Sequence, residues 1–215
     1  TAAGVRQIDS WHYRQRILSF FGRVNYDYKS KYLLSLVLRR DGYSKLPKDN
    51  RWGTFPGISA GWVLSRENFM ESCSNVLSYA KIRASYGANG NVSGILDANG
   101  NVVTGLDYYT VQGSYGIMKD KDGKIVPNYN GKVPLMINDL PNPTMRWEKS
   151  YTFETGFDIG FLNNKYILNF TYYNRRTQDK FAEITLPSHS GVSSFLSNNG
   201  EVQNQGMELE LTANV

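Results

Sequence analysis

Two histidines, a group of serines and one run of alternating lysines and aspartates are the side chains with which this 215-residue chain could do chemistry. His12 and His189 stand far apart, outside any HExxH arrangement and without metal-ligand neighbours, so both read as solvated residues. Ser188, Ser190, Ser193 and Ser194 surround Gly191, but neither a GxSxG elbow nor a phosphate-cradling glycine loop accompanies them, and a polar loop is the better reading. The run KDKDGK, Lys119 to Lys124, places Asp120 and Asp122 as alternate oxygen ligands before Gly123. It lacks the remaining ligands and the closing glutamate of a calcium loop, and Asp-Gly predicts a tight turn instead. Cys73 is the single cysteine, which excludes an internal disulfide and a multi-cysteine metal site. No enzyme, metal or cofactor is expected.

The elements that must position any site are strands. From Leu18 the even positions Leu18, Phe20, Val24, Tyr26 and Tyr28 are apolar or aromatic, with Ser19, Arg23, Asn25 and Asp27 between them. After a turn at Lys29 to Lys31 the even positions Tyr32, Leu34, Leu36 and Leu38 resume the apolar face. Trp52, Ile58, Ala60, Trp62 and Leu64 then face away from Gly53, Gly57, Ser59 and Gly61, and Ile82, Ala84 and Tyr86 from Lys81, Arg83 and Ser85. Beyond a long interruption, Tyr151, Phe153, Phe157, Ile159 and Phe161 alternate with polar residues. Leu162 to Lys165 turn the chain into Tyr166, Leu168, Phe170 and Tyr172, and Met207, Leu209, Leu211 and Ala213 close the series. About seven strands result, several longer than the ~5–6 residues usual in globular proteins. Aromatic content of 13% with 20 glycines agrees with an all-β chain. A net charge of +5 spread along the sequence offers no basic cluster for nucleic acid. No apolar run approaches the ~18 residues of a membrane helix.

Short connections (29–31, 162–165 and the somewhat longer Asn68 to Leu77) alternate with long ones (Asp41 to Asn50, Gly90 to Met145, Pro187 to Asn198). Between antiparallel neighbours this puts every long loop at one end of the sheet, the asymmetry of an antiparallel transmembrane β-barrel with short periplasmic turns and long extracellular loops. The greasy face would meet lipid and the charged face the lumen. Tyr26, Tyr28, Tyr32, Phe161 and Tyr166 would form an aromatic girdle, and Gly53, Gly57 and Gly61 would leave room inside. Period 2 alone is equally compatible with a soluble β-sandwich.

The stretches FGRVNYDYKSKYLLSLVLRRDGYSKL, RWGTFPGISAGWVLSRENFM, LSYAKIRASYGANGN, LPNPTMRWEKSYTFETGFDIGFLNNKYILNFTYYNRRTQD and NNGEVQNQGMELEL, in this order, resemble the barrel signatures of SusC/RagA-type TonB-dependent outer-membrane transporters. The resemblance implies a barrel of about 22 strands closed by a plug, with residues 1–215 a late part of that single barrel domain and residues 90–145 a long extracellular loop. The plug and TonB-contact segment have no counterpart here, and both ends of the chain read as cut. Also implied are the bacterial outer membrane, import of oligosaccharides, peptides or other large nutrients, a SusD-like surface lipoprotein as partner, and energy from the TonB complex. A soluble glycan-binding sandwich and a surface adhesion barrel without transport remain the alternatives.

Tyr108, Tyr109 and Tyr115 lie in the predicted external loop, where flat rings with polar edges suit contact with substrate or partner; packing a core of the loop's own is the competing role. Arg23, Arg39, Arg83, Glu154, Asp158, Glu208 and Glu210 share the inner face and are expected to pair across strands. Trp147 and Glu148 are expected to open a strand near the external rim, with Trp147 in the girdle.

Overall fold

Alternation of the kind just described suits strands paired side by side in a sheet, and the chain pairs them by running up and down. The computed structural model describes residues 14–73, 75–96, 102–104, 106, 108–126, 130, 132 and 134–214. Strands β1 (Ile17–Tyr28), β2 (Tyr32–Tyr43), β3 (Trp52–Val63) and β4 (Leu77–Asn91) come first. The long connection carries β5 (Ile95–Leu96), β6 (Val102–Thr104), helix α1 (Tyr108–Gln112), β7 (Ser114–Ile117) and β8 (Leu135–Asp139). Then follow β9 (Glu148–Phe161), β10 (Tyr166–Thr185) and β11 (Ser194–Ala213). The seven long strands form one antiparallel sheet in the order β1-β2-β3-β4-β9-β10-β11, while β5-β6 and β7-β8 are separate hairpins.

Register carries the apolar face across every strand. Tyr28, Tyr32, Trp62, Ile82, Phe157, Phe170 and Leu209 lie side by side in one row. Above it Val24, Leu36, Ile58, Tyr86 and Phe153 form a second row. Among the described residues no second sheet covers this face: Val24 is 64% exposed and Leu209 69%. A sandwich would bury these side chains, so the sandwich alternative fails on the molecule's own packing. Aromatic rings edge the band at both heights. Tyr32 stacks between Tyr28 and Trp62 at the short-turn end, and Phe20 stacks on Trp52, which also lies under Arg40, at the other. With ~3.4 Å per residue and a tilt of ~40°, the interval from Phe20 to Tyr28 is about 21 Å high, close to the ~25 Å apolar band of outer-membrane barrels.

The turns at 29–31 and 162–165 fall where the sequence predicts them. Backbone reversal there uses positive φ at Lys29, Ser30, Leu162, Asn163 and Asn164, and the Asp27 carboxylate accepts the Ser30 amide at 2.7 Å. One expectation is corrected at the opposite end. Residues 187–198 are not all loop, because β10 continues to Thr185 and β11 starts at Ser194. An irregularity at Asp179, whose φ is +55, shifts the register between Thr177 and Lys180. The register shift breaks the alternation of the lower part of the strand, so the pairing beyond it does not follow from the pattern below.

Candidate functional site

The polar face of the sheet is a wall of side chains in horizontal rows. Asn25, Ser35, Ser59, Ser85, Glu154 and Tyr173 form one row across six strands. Asp27, Leu33, Gly61, Arg83, Gly156, Thr171 and Glu208 form the next row towards the short turns. Cross-strand pairing expected from the sequence occurs at Arg83, which meets Asp158 at 3.3 Å and donates to the Thr171 hydroxyl at 2.6 Å. Asn169 donates to Glu210 at 3.3 Å. Arg39 instead bonds Asp41 of its own strand at 2.6 Å. Among the described residues Arg23, Glu154 and Glu208 form no ion pair.

At the long-loop end this wall meets a small apolar core of Tyr43, Leu46, Phe55, Leu106, Met145, Trp147, Phe181 and Leu196. Trp147 is therefore not a lipid-facing girdle residue as the sequence predicts. It is 5% exposed, its ring meets Phe55 edge-on at 5.5 Å, and its indole N–H donates to the Arg51 carbonyl at 3.0 Å. Glu148 does begin β9, and it is buried with both oxygens occupied, accepting the Phe181 amide at 2.6 Å and the Asn91 side chain at 2.7 Å. The same core corrects the expectation of lumen space over Gly53. The Phe55 ring lies across Gly53 and Gly90, where any side-chain carbon would collide with it. Gly57 is open, its nearest neighbours lying 3.9 Å or more from where a Cβ would stand.

Residues that sequence reasoning missed tie the long connection to the β10–β11 hairpin. Asn142 donates to the Leu196 carbonyl at 2.9 Å, Asn198 exchanges hydrogen bonds with the Arg146 backbone, and Arg146 meets Asp179 at 2.6 Å. That carboxylate, by hydrogen bond and charge, raises the Arg146 guanidinium pKa above its ordinary value. The available signal was Tyr43 and Phe55, two large aromatics at positions whose parity places them on the polar face.

Tyr115 lies on β7 opposite Ile137 and is 75% exposed, so it does not pack the loop's core; Leu106 does, with Val92, Ile95 and Val111 against it. Tyr108 and Tyr109 open α1, and their side chains, like His12, lie outside the described residues. His189 sits in a short turn at 188–190, and among the described residues no group of three or more potential metal ligands occurs. The 120–124 segment is a turn between the bridged Lys119 and Ile125, with the Asp120 carboxylate accepting the amides of Asp122 and Lys124.

A two-faced, unclosed antiparallel sheet with an apolar band between aromatic rims is a segment of a transmembrane β-barrel wall. Residues 2–214 match the family described as TonB dependent receptor-like, beta-barrel, and the chain belongs to that family. Relatives include TonB-dependent receptor P3 of Formosa agariphila, 34% identical over 96% of this chain and 19% of that protein. TonB-dependent receptor SusC of Bacteroides thetaiotaomicron is 32% identical over 98% of this chain and 20% of its own length. Among solved structures, the RagAB peptide transporter superposes with a TM-score of 0.74 at 25% identity, over 94% of this chain and 20% of that one. The chain thus spans about a fifth of the length of these three proteins, which are named as receptors or a transporter. SusC/RagA-type barrel character and an outer-membrane location follow from these matches.

Proposed function

We propose that this chain is part of the wall of an outer-membrane importer that takes up oligosaccharides, peptides or other large nutrients, drawing energy from the TonB complex through segments outside it. The carrying observation is the contrast between the two sheet faces: lipid-facing rings and aliphatics outside, and inside a wall of Ser, Gly, Asn and charged residues suited to a hydrated ligand. Similarity to SusC and to RagAB, the latter titled a peptide transporter, supports import as the activity. On this reading residues 1–215 belong to a single barrel domain of about 22 strands. Residues 90–145 are an extracellular loop, pinned to the β10–β11 hairpin by the apolar core. Such a fixed, elevated surface suits a SusD-like surface lipoprotein, and the exposed ring of Tyr115, with Tyr108 and Tyr109 nearby in sequence, suits contact with that partner or with substrate.

Uptake of labelled oligosaccharide and peptide mixtures by cells lacking the full gene tests the reading. Loss of uptake on deletion, its return with the full-length gene, and its abolition when TonB is inactivated are expected. Unchanged uptake together with lost attachment to surfaces would instead favour an adhesion barrel.

A further inference from the structure

Sorted by height, the charges on the inner wall separate. The row Arg23, Val37, Gly57, Gly87, Thr152, Arg175 and Asn204 crosses all seven strands. Above it, towards the long loops, Phe21, Arg39 and Phe55 lie in line. These rows hold three arginines and no carboxylate. The three rows nearer the short turns carry Asp27, Glu154, Asp158, Glu208 and Glu210 against only Lys81 and Arg83. The next row up adds two buried carboxylates, Asp41, which is bound to Arg39, and Glu148, so the outer rows are net basic through Arg23 and Arg175 while the inner half is acidic.

We infer that the outer half is a selectivity belt for carboxylate groups on the imported nutrient; the inference rests on the import reading above. Arg23, Arg39 and Arg175 border a single concavity whose floor is the backbone of Gly57 and Gly87. That floor is unfilled: a Cβ on Gly57 would stand 3.9 Å from its nearest neighbour and one on Gly87 3.7 Å. Two of the arginines are available. Arg23 has no ion-pair partner among the described residues, and the hydrogen bond of Arg175 is a 3.3 Å contact from its Nε to the Thr152 hydroxyl that does not engage its terminal nitrogens. Arg39 is held by Asp41 and contributes less. Glu154 borders the same concavity as its one carboxylate, on the side facing the acidic rows.

Five strand spacings of ~4.8 Å put Arg23 and Arg175 about 24 Å apart along the curved wall, well beyond the ~8 Å Debye length at physiological salt. They act as separate anchors on either side of the glycine floor. A guanidinium there offers a planar donor pair that matches a carboxylate. Moving deeper, an anionic ligand meets net negative charge, so the belt retains it in the outer half until the inner wall's charges are matched by other parts of the barrel.

The test uses the full-length protein in detergent and four probes: an oligogalacturonate, a neutral glucan of equal length, an acidic peptide and its neutral amide counterpart. The carboxylated member of at least one pair is expected to bind roughly tenfold more tightly than its neutral partner. The preference should collapse near 1 M salt, where the Debye length is ~3 Å. The double variant R23Q/R175Q should lose the preference while keeping neutral-probe affinity, and R23K/R175K should keep part of it. The saccharide and peptide pairs separate the two sources of carboxylate. Equal binding within both pairs overturns the belt and leaves import intact. A preference that survives R23Q/R175Q also overturns it, and would mean that other groups of the barrel supply the selectivity. Absence of TonB-dependent uptake for any nutrient overturns the import reading and the belt with it.

Discussion

Glu67 shows how one side chain can hold the short-turn end together. Its carboxylate accepts the Trp62 indole N–H at 3.1 Å and the Lys31 ammonium at 3.0 Å, joining β3 to the β1–β2 turn. The hydrogen bond from Trp62, then those from Lys31 and Tyr32, hold its pKa below the ordinary 4.5. A depressed carboxyl contributes stability that is complete above its unfolded pKa and is lost as pH falls through the folded value. Melting of the full-length protein in detergent is therefore expected to separate wild type from Glu67→Gln at neutral pH, and the two curves should converge in acid below the ordinary carboxyl range. A separation that stays constant across pH would refute the assignment. Ser30 offers a test of opposite sign, because its φ of +51 is a conformation that favours glycine. Ser30→Gly should stabilise the barrel by up to about 1 kcal/mol, offset in part by the entropy glycine adds to the unfolded chain. Equilibrium unfolding in urea reads the difference.

At the scale of elements, the long connection is held by what it buries. Trp147 brings together β2, β3 and β9 through contacts with Tyr43, Phe55 and the Arg51 carbonyl. Trp147→Ala should cost the local cluster ~3–5 kcal/mol, the usual range for removing a buried large aromatic. Protease cleavage within 92–147 should then accelerate while the seven long strands resist; equal resistance of loop and strands would show that the core does not pin the loop. This is also where sequence reading reached its limit. Face and turn were legible in β1, β2, β3 and β9, because a lipid-facing position must be apolar and a lumen-facing one is mostly not. Trp147 was misread because its partners Tyr43 and Phe55 are distant in the chain, and at the head of a strand a tryptophan looks the same in a girdle and in a core. The upper halves of β10 and β11 lie beyond the register shift at Asp179, so the pattern of the lower halves does not carry into them. The charge segregation of the inner wall became visible only with the register, since Arg23 and Arg175 share a row only once all the strands between them are aligned.

At the scale of the molecule, the sheet has among the described residues two unpaired edges, β1 and β11, and an uncovered apolar band, as expected of part of a barrel wall in a membrane. The band sets a sharp contrast between neighbouring positions on one strand. Leu36 stands midway between the rims, between Val24 and Ile58 on the lipid face, while Ser35 lies beside Ser59 on the inner wall. In the full-length protein folded into vesicles, Leu36→Arg should cost ~2–4 kcal/mol, as cations do at the midplane of a barrel's outer surface. Ser35→Arg should change stability by less than about 1 kcal/mol, because its charge enters a hydrated wall that already carries arginines. Equal costs at the two positions would mean that both faces meet the same solvent, the one result the barrel assignment cannot accommodate.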